Sequence, residues 1–164
     1  MKILSSSQVA RKIKRLAIEI YSNHLNDKEI YFVGINQKGF KFAEIVGAEL
    51  CKSCPLEIIF YSVKLNPSNP LRDQIDISTD IATLSGKKII IFDDVANTGR
   101  TIFYACKPFL EILPERLEIA ALVDRKHKLF PIHVDYVGLS LATTLHNNIE
   151  VIFNEDKTAE AYLS

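Results

Sequence analysis

The sequence has no excess of charge of either sign: 20 Lys and Arg offset 20 Asp and Glu over 164 residues. A zero balance supplies no global field favouring nucleic acid or an anionic membrane, and leaves that task to local patches. Long apolar runs are also missing. None approaches the roughly 18 residues needed to span a bilayer, so no membrane partner is expected. The start, MKILSSSQVARK, lacks the apolar segment of a secretion signal, and the expected location is cytoplasmic. Cysteine is scarce. Cys51 and Cys54 form CKSC, but no second Cys/His pair stands at zinc-ligand spacing. The pair follows a helical pattern and precedes a strand, the reverse of a thioredoxin-like order, so it reads as reduced structural thiols. There is no Gly-Lys-Ser/Thr string, which excludes a P-loop. Repeats and low-complexity segments are absent too.

What is present is ordinary for one globular domain: 48% apolar and 24% charged residues. Val9, Ile13, Leu16, Ala17, Ile20 and Tyr21 recur at helical spacing and predict an amphipathic helix over 6–24, with Ser5 to Ser7 able to cap it. A short β-rich run, Glu29 to Val33, precedes a helix through Phe42, Ala43, Val46 and Leu50. Leu56 to Tyr61, Ile89 to Phe92, Glu118 to Val123, Val134 to Val137 and Glu150 to Phe153 read as strands. Thr101, Ile102, Ala105, Phe109 and Ile112 predict a helix that Pro108 kinks or shortens. Residues 62–86 carry Asn66-Pro67, Asn69-Pro70 and Arg72-Asp73, and predict a lid or a small hairpin. This order implies an α/β fold: a mostly parallel central sheet flanked by helices, within a single domain over residues 1–164. The continuous apolar run Ile89 to Phe92 suits a central strand covered on both faces.

That run ends on two adjacent carboxylates, Asp93 and Asp94, followed by Val95-Ala96-Asn97-Thr98-Gly99-Arg100-Thr101. In an open α/β sheet, ligands sit beyond the carboxyl ends of strands. Gly99 permits angles that bulkier residues resist. Successive amides, the Thr98 and Thr101 hydroxyls and the helix dipole suit a phosphate. The carboxylates suit sugar hydroxyls or the water shell of a metal. One ligand satisfies both halves: a phosphorylated sugar. Read alone, an Asp-Asp pair favours an acidic turn with an N-cap, or a phosphoacceptor of the receiver-domain type.

The whole string IIIFDDVANTGRT closely resembles the phosphoribosyl-diphosphate-binding motif of type I phosphoribosyltransferases. GINQKGFKFAEIV resembles that family's diphosphate loop and the helix after it. ALVDRKHKLFPIHVDYVG and QVARKIKRLAIEIYSNH resemble one subgroup, the pyrimidine-operon attenuators that are also uracil phosphoribosyltransferases. The resemblance implies the type I phosphoribosyltransferase fold, with 62–86 as its lid or hood, and transfer of ribose 5-phosphate to a base, uracil foremost. It also implies Mg²⁺, a homodimer or higher homo-oligomer, and RNA as a partner. It gives Asp93 and Asp94 the ribose hydroxyls and a catalytic role. Val95 to Thr101 would wrap the 5′-phosphate, and Asn36, Gln37, Lys38 and Gly39 would meet the diphosphate. Asp124 and Arg125 would lie near sugar and base, with Leu129 to Ile132 beside the nucleobase. Asp135 would reach magnesium through water. The basic clusters at Lys2, Arg11, Lys12, Lys14 and Arg15, and at Arg125, Lys126 and Lys128, are the RNA candidates. His127 sits in a suggestive loop, while His24, His133 and His146 read as surface or structural.

The chain departs from the subgroup at Gln37-Lys38, where Thr-Arg is usual, after Tyr61, where an Arg and acids are usual, and at Lys126 and Leu129. Most of these changes fall on the diphosphate and lid side, those at Lys126 and Leu129 fall in the base loop, and all leave the 5′-phosphate turn intact. They keep a second reading open: a catalytically weak sensor of phosphoribosyl diphosphate or nucleotide that binds RNA as an attenuator.

Overall fold

The computed structural model describes residues 1–142 and 147–164, so His146 lies outside the described residues. Its main sheet has six strands. In chain order these are β2 (Glu29–Ile35), β3 (Glu57–Lys64), β4 (Asp76–Ile77), β5 (Lys88–Ala96), β6 (Arg116–Arg125) and β7 (Tyr136–Leu141). Across the sheet the order is β4-β3-β2-β5-β6-β7, parallel except for the short β4, which runs antiparallel to β3. The expected parallel α/β sheet is therefore observed, with β5 at its centre.

Ile89, Ile90, Ile91 and Phe92 of β5 are all fully buried, as a strand covered on both faces requires. On one face lie α1 (Ser6–Asn23) and α2 (Asn36–Cys51). Ser5 caps α1 with a reciprocal capping box: Gln8 N–H donates to Ser5 Oγ, and Ser5 N–H donates to Gln8 Oε1 at 2.8 Å. On the other face α3 (Arg100–Ala105) covers the sheet with a 3₁₀ turn, Lys107–Glu111. Pro108 sits in that 3₁₀ turn and stops the α-helix at Ala105, as its missing N–H dictates.

Three differences from the sequence expectation bear on function, together with the hairpin form taken by residues 62–86. β5 does not stop at Phe92. It continues through Asp93 and Asp94 to Ala96, paired with β6 as far as Ala96 opposite Asp124. β7 begins at Tyr136, two residues later than expected, so Val134 is a buried loop residue. Residues 62–86 fold as the end of β3, a loop, the two-residue return strand β4 and a 3₁₀ turn, Ile81–Leu84. Finally, β1 (Lys2–Leu4), β8 (Ile149–Phe153) and β9 (Ala159–Leu163) form a second, antiparallel sheet in the order β1-β9-β8. Its Leu4, Ile149, Val151, Ala159 and Ala161 join the same apolar core as α1, α2, Phe32 and Phe92.

Candidate active site at the carboxyl edge of the sheet

Phe92 anchors the acidic pair. Its ring packs on Phe32 at 4.5 Å and Phe42 at 5.6 Å, so the backbone entering Asp93 is held by buried aromatic contacts. Asp93 is 8% exposed, and Asp94 N–H donates to its Oδ1 at 3.0 Å. Burial, then the neighbouring Asp94 charge, pushes the Asp93 carboxyl well above the usual carboxylate range. Burial also raises Asp94, while the Lys38 charge opposes that rise. Two carboxylates with this much negative charge and little water are suited to a partner that brings positive charge or hydroxyl donors.

The loop expected to meet diphosphate reaches this pair from the β2 side. Asn36 to Gly39 form the first turn of α2, and no side chain caps their amides. An uncapped start of a 16-residue helix is an arrangement that favours anions. Gly39 is required for the approach: a Cβ there would stand 2.4 Å from the Phe92 carbonyl oxygen. Lys38 is half exposed and stands 3.6 Å from Glu150 of β8. Asn36 has a left-handed φ of 50°. Its carboxamide accepts from Leu65 N–H at 3.1 Å and donates to the Leu65 carbonyl at 3.0 Å. Its side chain thus clamps the start of the 62–86 segment, while Gln37 and Lys38 face outward. A cavity of about 570 Å³ opens there, lined among others by Gln37, Phe40, Lys64, Asn66 and Asp73.

The turn expected to take the 5′-phosphate follows β5 directly. Gly99 has φ 86°, the left-handed conformation its lack of a Cβ permits, and a Cβ there would meet Ile132 at 2.7 Å. The loop after β6 is folded onto this turn: Leu129 and Phe130 N–H both donate to the Thr98 carbonyl, at 2.9 and 3.2 Å. Arg100 N–H points at Thr98 Oγ1 at 3.4 Å. The Arg100 guanidinium instead leaves the turn and donates to the Pro67 carbonyl at 2.7 Å. Arg125 is 3% exposed and donates to Asn97 Oδ1 at 2.9 Å and the Asn147 carbonyl at 3.0 Å, so it supports the turn from beneath.

The structure therefore gathers Asn36 to Gly39, Asp93 to Thr101, Asp124, Arg125 and Ile132 at one edge. It does not bring Asp135 there. The Asp135 carboxylate accepts from Ile119 N–H at 2.8 Å, and its own N–H donates to the Ile119 carbonyl. Ile119 lies opposite Ile91, in the amino half of β6, below the acidic pair. An Asp side chain next to an unpaired strand amide takes that amide, which removes Asp135 as a metal-facing residue. Of the two expectations for His24, surface or structural, the structure shows the structural one: it is buried between Asp27 and Glu118 at 2.7 and 2.8 Å. Sequence reasoning missed the Asn36–Leu65 and Arg100–Pro67 contacts, which join residues distant in the chain. It also passed over Lys128 as a site residue, though an Asp124 and Lys128 four apart offered a signal.

Among the described residues no three His, Cys, Asp or Glu side chains gather as a metal cage. The hard oxygen donors Asp93 and Asp94 fit an ion that arrives with most of its ligands already supplied by substrate oxygens and water.

A phosphoribosyl transferase domain model matches residues 2–156. The chain is 30% identical to the Bifunctional protein PyrR of Deinococcus radiodurans, over 93% of this chain and 87% of that one. It is 33% identical to the protein of the same name from Haemophilus ducreyi, over 91% and 87%. In fold it superposes on a hypoxanthine phosphoribosyltransferase of Trypanosoma cruzi with TM-score 0.75 and 15% identity, covering 98% of this chain and 95% of that one. A hypoxanthine-guanine phosphoribosyltransferase of Bacillus anthracis gives 0.69 and 20%, covering 85% and 81%. The matched span runs through the diphosphate loop, the acidic pair and the phosphate turn, and the chain belongs to the phosphoribosyl transferase family.

Proposed function

We propose that this phosphoribosyltransferase moves the ribose 5-phosphate group of phosphoribosyl diphosphate to uracil and releases diphosphate. One observation carries it: Asp93 and Asp94 lie on β5 between an anion-binding turn at its end and an uncapped helix start pressed on Phe92. These features match the sugar, the 5′-phosphate and the diphosphate in order. Uracil rests on the resemblance of ALVDRKHKLFPIHVDYVG and on the relatives named PyrR.

In mechanism, the amides and hydroxyls of residues 97–101 hold the 5′-phosphate, and Arg125 keeps Asn97 in place. Asp93 and Asp94 accept the ribose hydroxyls and favour the positive charge that grows on the sugar ring as its C1–oxygen bond lengthens. The amides of residues 36–39 and Lys38 stabilise the charge gathering on the leaving diphosphate. Magnesium, when bound with the substrate, supplies further neutralisation of that leaving group. Residues 62–86, joined to α2 through Asn36 and to α3 through Arg100, serve as the lid that keeps water from the ring. We take residues 1–164 as one functional domain. The exposed Leu110, Leu113 and Phe103 support a homo-oligomeric assembly.

The test is incubation with phosphoribosyl diphosphate, Mg²⁺ and a panel of bases. Equal amounts of uridine 5′-monophosphate and diphosphate are expected. No nucleotide from any base would exclude transfer. The second reading, an RNA-binding sensor with little turnover, draws support from Gln37-Lys38 and from exposed Arg11 and Lys14 on α1. Arg15 is drawn off that face, donating to the Val137 and Gly138 carbonyls at 2.6 and 3.0 Å. Tight ligand binding without turnover, and RNA affinity that falls steeply with salt, would favour it.

A further inference from the structure

Asn36 stands where β2 turns into α2, with a left-handed φ of 50°. Lys157 is the other non-glycine residue with positive φ among the described residues, and it lies in the β8–β9 hairpin turn, where such angles are ordinary. Asn36 lies in no hairpin. Backbone pairing of β2 with β3 ends at Ile35 opposite Val63. One step further the Asn36 carboxamide takes over, accepting from Leu65 N–H at 3.1 Å and donating to the Leu65 carbonyl at 3.0 Å. A carboxamide carries a donor and an acceptor side by side, so it stands in for the missing peptide group. Leu65 itself is buried, which makes the far side of the clamp firm.

A left-handed residue beside right-handed ones brings successive N–H groups into one concavity, a backbone arrangement that takes anions. Asn36 followed by the helical Gln37 and Lys38 is such a pair of conformations. Asparagine tolerates this φ better than most residues, but nothing in its own chemistry fixes it there. The Leu65 clamp does. The same clamp is a wall of the 570 Å³ cavity, which Asp73 and Gln74 of the 62–86 segment also line. The amides expected to meet diphosphate and the start of that segment thus share one side chain.

We propose that Asn36 is a positioning residue: its clamp on Leu65 preserves the anion-binding turn of residues 36–38 and couples diphosphate binding to the seating of residues 62–86. The coupling runs in both directions, as linked equilibria must. Diphosphate on the amides fixes the left-handed turn, which keeps the carboxamide on Leu65 and the segment in place. Departure of diphosphate loosens both. This role rests on the transferase reading, and it assigns control of the diphosphate site to a side chain engaged by another part of the chain.

The test joins calorimetric titration of the full chain, with diphosphate plus Mg²⁺ and separately with ribose 5-phosphate, to limited proteolysis within 62–86. Wild type is compared with Asn36→Ala and Asn36→Gly. Asn36→Ala loses both the clamp and the tolerance of a left-handed φ, and its diphosphate affinity should fall about tenfold or more. Asn36→Gly keeps that φ accessible and should lose only about threefold, which also serves should the alanine variant fail to fold. Ribose 5-phosphate affinity should stay within about twofold of wild type in both, because the turn of residues 97–101 is untouched. Saturating diphosphate should slow cleavage within 62–86 about fivefold or more in wild type and leave it unchanged in both variants, a readout that a merely structural residue would not move. Undiminished diphosphate affinity in folded Asn36→Ala overturns the proposal. So does diphosphate protection that is absent from wild type or retained in Asn36→Gly, or an equal loss of ribose 5-phosphate affinity. Wild type that binds neither ligand would instead strike the transferase reading itself.

Discussion

Asp93 is held where its charge is least welcome. Its carboxyl is raised because burial penalises the ion and Asp94 repels it. The folded state therefore holds this proton more tightly than the unfolded chain does. The associated stability is fully present below the ordinary value of 3.8 and is lost as pH rises through the folded value. Above the ordinary value of 3.8, the buried Asp93 carboxyl works against the fold. Asp93→Asn should raise the melting temperature at pH 7, by about 2–4 °C per kcal/mol relieved in a chain of this size. Calorimetry at pH 7 and pH 4 checks it, with the gain shrinking at the lower pH. Asp94→Asn should lower turnover far more than it lowers phosphoribosyl-diphosphate affinity, since it faces charge that grows only during transfer. Equal loss of both would mark a merely structural carboxylate. At Gly99, alanine meets both a left-handed backbone and Ile132 at 2.7 Å. Gly99→Ala should weaken ribose 5-phosphate binding about tenfold or more, given the roughly 1–2 kcal/mol strain of that conformation.

At the scale of elements, the contacts across the edge explain both what the sequence disclosed and what it hid. The run Ile89 to Phe92 announced a buried strand because every face of β5 is covered. Its true end at Ala96 was hidden, because β6 pairs through Val95 opposite Val123 and Ala96 opposite Asp124, and no local signal carries that pairing. The left-handed turn at Gly99 was legible because Thr-Gly-Arg-Thr keeps its signal in consecutive residues. Asp135 was misplaced because its partner, the Ile119 amide, lies on another strand. β1 and β9 were missed for the same reason: three and five residues pair across the two ends of the chain. The fold of residues 62–86 is another such long-range product, tethered by Asn36 to Leu65 and Arg100 to Pro67. Arg100→Ala frees the Pro67 carbonyl. Limited proteolysis should then cut within 62–86 faster, while ribose 5-phosphate affinity stays within a few-fold because the turn amides remain.

The whole molecule separates stability from the proposed chemistry along the strands. The groups proposed as catalytic occupy the carboxyl edge of the sheet, and a buried polar network occupies the amino edge. There His24 lies between Asp27 and Glu118, Lys88 Nζ donates to Asp27 at 2.6 Å, and Tyr136 Oη donates to Glu118 at 3.1 Å. Burial opposes the His24 charge, but its bonds to Glu118 and Asp27 outweigh that and hold its pKa above 6.5. This contribution is complete below 6.5 and fades as pH rises through the folded value. Burial opposes the Glu118 and Asp27 charges too, yet their partners hold both below the ordinary values of 4.5 and 3.8, a contribution lost as pH falls through their folded values. The network thus stabilises most between about 4.5 and 6.5. Glu118→Gln should cost on the order of 3 kcal/mol there. Its effect on melting should shrink toward alkaline pH, with nucleotide affinity at the distant edge preserved in the folded protein.

The central claim is geometric: one activated pentose spans the turn after β5, the acidic pair on β5 and the start of α2. A crystal structure with phosphoribosyl diphosphate and Mg²⁺ tests it most directly. The account predicts the 5′-phosphate within hydrogen-bond distance of the amides of residues 97–101, the ribose hydroxyls on Asp93 and Asp94, and the diphosphate at residues 36–39. A ligand seated elsewhere, or carboxylates turned away from the sugar in the complex, would contradict it.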